Sequence, residues 1–319
     1  MTKHNSPLIL SYPLYNFNAT VTHIREAASN NASLAVLPEY HLTGWLPGST
    51  EFASLAATAW QYVIKYQDVA KELNINIVPG TIVTTDPNLI PPEARHSISE
   101  EYDRLASNGK SELLFNIAPF ISQTGELLGV YTKANLWHPE RAYLTSHPPI
   151  SLPGNESGRV AREAQGSPHT VIDTPLGPVG LLVCWDLAFP EAFRSLIGQG
   201  ARLIIIPTFW LGSDISPEAQ MYNKNAERLF LQSTIVSRAF ENTCAIIFCN
   251  AGGPAEEDYL GLSQVALPLV GTVPGSFEGS EVGLRILSVD MDVVDTAEKT
   301  YKIRETIGMA DWHYGHSHK

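Results

Sequence analysis

Residues 178–210 read PVGLLVCWDLAFPEAFRSLIGQGARLIIIPTFW. Val179 to Val183 is a short apolar run that follows a Pro/Gly turn at Pro175, Gly177 and Pro178. Its shortness predicts a buried strand rather than a helix. Asp186 and Pro190 open a helical pattern with Phe189, Phe193 and Ile197 on one face, and Gly200 closes it before a second apolar run, Leu203 to Ile206. This order sets Cys184 at the mouth of a strand just before a helix N-terminus, where free backbone N–H groups favour a thiolate and developing negative charge. A lone Cys beside Val and Leu is more often a small buried hydrophobe, and placement by itself leaves both readings open.

Outward from this stretch the same alternation continues. Upstream, Pro7 to Ser11 predicts a strand, Val21 to Ala28 a helix, and Leu34 to Leu37 a strand stopped by Pro38. Phe52 to Leu73 has apolar residues at helical spacing, and Ile75 to Val83 is a strand broken at Pro79-Gly80. Residues 84–111 change composition and predict an insertion loop, a rim over the active site or a subunit contact. Leu113 to Ser122 and Glu126 to Thr132 then form a hairpin around Thr124-Gly125. Leu144 to Pro168 is a second Pro/Gly-rich connection, followed by Val171 to Thr174. Downstream come a helix, Met221 to Phe240, a strand, Cys244 to Phe248, and short strands near Leu262 to Leu267 and Leu284 to Val289. A helical turn and an irregular tail end the chain. Strands alternating with helices without a composition break predict one α/β domain over residues 1–319, with a core at about 7–290 and a C-terminal extension at 291–319.

The chain has 319 residues and a net charge of −12. It carries no Lys/Arg block, so nucleic-acid binding is not expected. No apolar run approaches the roughly 20 residues that span a bilayer, and the N-terminus has neither a long apolar region nor a cleavage site, so a cytoplasmic protein without a membrane partner is expected. The three cysteines form no CxxC pair or disulfide framework. Cys244 and Cys249 alternate with apolar residues and read as core. No nucleotide-binding glycine motif occurs, no cofactor is expected, and the tail residues His313, His316 and His318 are not read as a metal site.

A cysteine nucleophile needs a base and an oxyanion holder. Glu39 in LPEY and Lys133 in YTKANLW stand at predicted strand ends, as does Cys184, and strand ends are where α/β proteins gather ligands. Each taken singly reads as a surface residue. Together, LPEY, YTKANLW and the CWD, FPE and Gly200-Ala201 segments resemble the three motifs of the carbon–nitrogen hydrolase (nitrilase) superfamily from about Pro7 to Asp290. The resemblance implies a four-layer α-β-β-α sandwich, with Glu39 as general base, Cys184 as nucleophile and Lys133 holding the oxyanion with the backbone N–H of Trp185. It further implies a positioning role for Glu140, set against a salt bridge to Arg141, and a homodimer or larger homo-oligomer formed through Met221 to Phe240 and the C-terminal tail. His138 as a Cys-His partner is set aside, because no cysteine-protease signature surrounds Cys184.

The chemistry this implies is hydrolysis of a small linear amide or N-carbamoyl compound through a cysteine thioester. The Lys133 to Glu140-Arg141 spacing resembles the nitrilase branch instead, whereas Trp185-Asp186 and the FPEAFR helix start resemble the amidase and carbamoylase branches. Nitrile hydrolysis is therefore the alternative within the family. An inactive binding or scaffold member of the same fold is the alternative from another class.

Overall fold

The structure is a computed structural model that describes residues 13–47, 49, 51–85, 113–146 and 168–314. The expected strand Pro7 to Ser11, nearly all of the 84–111 insertion and most of the second connection lie outside the described residues.

Two mixed sheets organise the chain. The first contains β1 (Leu34–Val36), β2 (Asn76–Val78), β3 (Ile82–Thr84), β4 (Phe115–Ile121) and β5 (Leu127–Thr132). β2 and β3 meet the same strand β4 at opposite ends, Ile77 opposite Ile121 and Ile82 opposite Ile117, so they form one line interrupted at Pro79-Gly80. The second sheet runs β11-β10-β9-β8-β7-β6, from Gly271–Thr272 (β11) and Gln264–Leu267 (β10) through Ala245–Asn250 (β9), Leu203–Thr208 (β8) and Gly177–Leu181 (β7) to Val171–Thr174 (β6). Its central strands β7, β8 and β9 are parallel, and the outer pairs are antiparallel.

The side-chain alternation of β4 shows how the layers stack. Phe115, Ile117 and Ile121 pack with Ile24 of α1 (Pro13–Ser29) and with Val63, Tyr66 and Ala70 of the helix Trp60–Leu73. Ala118 and Phe120 point the other way, into a core shared with Leu181, Val183 and Ile205 of the second sheet. On the far side of that sheet lie Phe193 and Leu196 of the helix Pro190–Gly198 and Leu231 and Ile235 of the helix Ala226–Glu241. The result is the expected α-β-β-α sandwich, and β4 is buried along its whole length because both faces are covered. Gly180 lets the helix approach β7, since a Cβ there would stand 2.6 Å from Leu196 Cδ1.

Several element boundaries differ from expectation, each for a local reason. α1 begins at Pro13, whose fixed φ suits a first helical turn, although the polar run after it hides the apolar period. The helix expected over Phe52 to Leu73 divides at Ala59 into Glu51–Thr58 and Trp60–Leu73, where the Ala59 N–H bonds Ala56 O at 3.3 Å in a tighter turn. The helix expected from Met221 starts at Ala226, because the Asn223 side chain caps Asn225 N at 2.9 Å and holds the preceding residues in a turn. Leu284 to Val289 is not a strand: it pairs with no ladder. The C-terminal segment is more than a helical turn, since Met291–Tyr301 buries Val294 and Ala297 and its Glu298 accepts a hydrogen bond from Thr243 at 2.6 Å. No helix among the described residues is long and apolar enough to cross a membrane.

Candidate active site

Glu39, Lys133 and Cys184 each follow a strand and meet at one end of the two sheets. Glu39 comes after β1, in a segment tied to β2 by Leu37 N to Val78 O and to β8 by Glu39 N to Thr208 O. Gly80 underlies that segment with φ of +61°, and a Cβ there would fall 1.9 Å from Pro38 O, so only glycine fits. Lys133 follows β5, its N–H bonded to Asn116 O at 2.9 Å. Cys184 opens a single 3-10 turn, Cys184–Ala188, with φ of +47°. That strained conformation lifts the sulfur out of the strand line.

The turn is held by Asp186, which is fully buried. Its Oδ2 accepts from Val183 N at 2.8 Å and Tyr131 Oη at 2.9 Å, and its Oδ1 accepts from Asn135 N at 3.0 Å and Asn135 Nδ2 at 2.8 Å. Asn135, two residues after Lys133, and the Cys184–Ala188 turn are thereby locked to one carboxylate.

Lys133 Nζ donates to Glu39 Oε1 at 2.9 Å and to Glu140 Oε1 at 2.8 Å, and all three side chains are almost completely buried. Two of the three ammonium protons are so used, leaving one for a ligand. Glu39 also accepts from Asn116 Nδ2 at 2.8 Å and from Phe209 N at 2.9 Å. Glu140 takes Tyr40 Oη at 2.6 Å and Trp137 N at 2.8 Å. Its partner is thus Lys133 rather than Arg141, and its place is that of a second counter-ion that aims the ammonium.

Burial raises Glu39 to about 7 against the pull of Lys133, a value suited to shuttling protons near neutral pH. Lys133 loses solvation too, yet Glu39 and Glu140 hold it well above its ordinary value, so it stays an ammonium. The Cys184 thiol is pushed well above its ordinary range by burial and by Glu39, with Lys133 opposing. This corrects the expectation that a helix N-terminus favours a resting thiolate. The α-helix begins only at Pro190, after the 3-10 turn, and loss of water outweighs what one short turn of N–H groups offers. At rest the sulfur contacts Phe209 O at 3.6 Å and also the Glu39 carboxylate.

Cys184 and Lys133 open onto a cavity of about 450 Å³. Trp185 stands on its wall, its ring tilted by 44° against that of Trp210 with 5.3 Å between centroids, and its backbone N–H donates to no backbone carbonyl among the described residues. His138 also lines the cavity, with its ring against Trp137 rather than against the sulfur. Cys244 and Cys249 lie away from it, both pushed up to about 12 by burial, with Cys249 Sγ bonded to Val36 O at 3.4 Å. His313 is described, whereas His316 and His318 lie outside the described residues.

The sequence reading missed Tyr40, Asn116 and the supporting role of Asp186. Asn116 had a visible signal, one amide in the apolar run FNIAPFI, since a buried Asn in such a strand must find partners. Tyr40 and Asp186 stood inside the quoted motifs beside the residues they serve.

A family model for carbon-nitrogen hydrolase matches residues 12–299. Among curated relatives, "Probable nitrilase C965.09" of Schizosaccharomyces pombe is 24% identical over 292 residues, covering 90% of this chain and 87% of the relative. The 2-oxoglutaramate amidase of Bacillus subtilis is 23% identical over 290 residues, covering 90% and 86%. Among solved structures, a carbon-nitrogen hydrolase from Helicobacter pylori G27 aligns with a TM-score of 0.69 at 18% identity, over 95% of this chain and 92% of that one, a likeness of fold.

Proposed function

The chain belongs to the carbon–nitrogen hydrolase family, and on that premise we propose that it is an amidase that cleaves a small linear amide or N-carbamoyl compound through a Cys184 thioester. The observation that carries this reading is the Lys133 ammonium held between the Glu39 and Glu140 carboxylates at the cavity that Cys184 lines.

The chemistry follows from that arrangement. Glu39 takes the Cys184 thiol proton as sulfur attacks the amide carbon, so the charge moves to the carbonyl oxygen. The third Lys133 N–H and the Trp185 N–H stabilise that oxyanion. Glu39 then gives its proton to the leaving nitrogen, the C–N bond breaks and ammonia or an amine departs, leaving the thioester. A water loses its proton to Glu39, attacks the thioester, and the proton returns to sulfur as the acid leaves. Proton transfer within the attack explains how a buried, neutral thiol serves as nucleophile.

The same residues can add a thiolate to a nitrile, and one relative bears a nitrilase name. Trp185-Asp186 after the nucleophile favours the amide. The deciding experiment compares kcat/KM for matched amide and nitrile pairs by ammonia release, with mass spectrometry of Cys184 during turnover. An acyl adduct and preference for the amide are expected. A nitrile preferred tenfold or more, about 1.4 kcal/mol, would overturn the choice. Absence of both adduct and turnover across the panel would favour a binding role.

A further inference from the structure

The active-site cavity carries two carboxylates besides Glu140. Asp214 and Glu227 both stand on its wall, and Lys133, the ammonium that lines it among the described residues, is already bonded to Glu39 and Glu140. Each of the two carboxylates uses one oxygen to hold the structure. Asp214 Oδ2 accepts from Leu211 N at 2.9 Å, and Glu227 Oε2 accepts from the Trp210 indole N–H at 2.6 Å. The other oxygen of each has no partner among the described residues. Around them the wall is aromatic, formed by Trp137, Trp185, Trp210 and Phe209.

We propose that the substrate carries a protonated amine at the end remote from its amide or carbamoyl group, bound by Asp214 and Glu227 against these aromatic faces. This rests on the amidase reading above. Both carboxylates line the same cavity as Cys184, so a substrate whose carbonyl lies at Cys184 has its remaining atoms enclosed by the walls that carry them. A carboxylate tail there is repelled and a neutral one leaves them unpaired, whereas an ammonium satisfies both and gains from the rings. Asp214 has no bonded cation among the described residues: burial raises it to about 6, Glu227 and Glu140 push the same way, and the Leu211 N–H and the Lys133 charge offset this only in part.

The test is a set of linear primary amides of equal length ending in ammonium, methyl or carboxylate, measured for kcat and KM. The ammonium compound is expected to exceed the methyl one by about tenfold in kcat/KM, about 1.4 kcal/mol, chiefly through KM, with the carboxylate compound weakest. D214N and E227Q should each shrink the ammonium-to-methyl ratio, and D214E and E227D should restore part of it, while thermal melting verifies that each variant is folded. A carboxylate-ended or methyl-ended substrate preferred by the wild type, or an unchanged ratio in folded variants, would overturn the proposal. If no amide is turned over, calorimetric titration of C184A with the three compounds separates the two ideas: selective uptake of the ammonium compound keeps the subsite and removes the amidase reading, and no selectivity removes the subsite as well.

Discussion

At the scale of single residues, Glu39 sets the pH dependence. The proposed mechanism uses its carboxylate as the base, and burial raises it to about 7, so kcat/KM should fall as pH drops below about 7, close to tenfold per unit. The same shift has a definite sign for stability. The folded state binds this proton more tightly than the unfolded chain, so its contribution is fully present below about 4.5 and is lost as pH rises through about 7. The melting temperature of wild type should therefore fall relative to that of Glu39→Gln as pH rises across that window, and a constant difference would refute it. Cys184→Ala should melt normally and lose turnover by at least about a thousandfold, roughly 4 kcal/mol. Glu39→Gln and Lys133→Met should each cost about as much, and the double variant much less than the sum, because one proton-transfer unit is broken by either change. Small additive effects would show that the two are mere neighbours.

At the scale of elements, the turn Cys184–Ala188 depends on Asp186. Removing this carboxylate strands the N–H groups of Val183 and Asn135 and the Tyr131 hydroxyl in a buried place. At about 1–3 kcal/mol for each buried polar group left unmade, Asp186→Ala should destabilise the protein by at least about 3 kcal/mol in urea unfolding. It should also disable Cys184, since the φ of +47° is held by that anchor. Gly180→Val belongs to the same scale. Its side chain would run into Leu196 and push the helix Pro190–Gly198 off β7, an overpacking cost of about 1–3 kcal/mol. A variant as stable as wild type would show that the helix has room to shift.

At the scale of the whole molecule, the outer helix layer of the second sheet bears apolar residues that the described fold leaves in water. Met221 and Tyr222 are 85% and 93% exposed, and Leu229 and Phe240 on the helix Ala226–Glu241 are exposed as well. A two-fold dimer through this face would cover them. Light scattering at micromolar concentration should give twice the chain mass of 34.9 kDa, and Tyr222→Asp should shift it toward the monomer. A monomeric wild type would end this expectation.

Glu39, Lys133 and Cys184 each close an apolar run of strand length, but it was the resemblance of their three motifs to the carbon–nitrogen hydrolase family that picked them out of the sequence together. The alternation of such runs with helical patterns carried the α/β class, whereas the four-layer stacking came only from the family resemblance, and the interruption at Pro79-Gly80 showed in the residues themselves, since proline and glycine act on the backbone locally. What pairs with what was decided only in three dimensions. Asn116 reaches Glu39 across 77 positions and Phe209 N reaches it across 170, and no local propensity encodes such a meeting. The resting state of Cys184 was misjudged for the same reason. The turn that follows it is a local feature and reads as favouring charge, but the water removed from the sulfur depends on both sheets closing over it, and that desolvation is the larger effect.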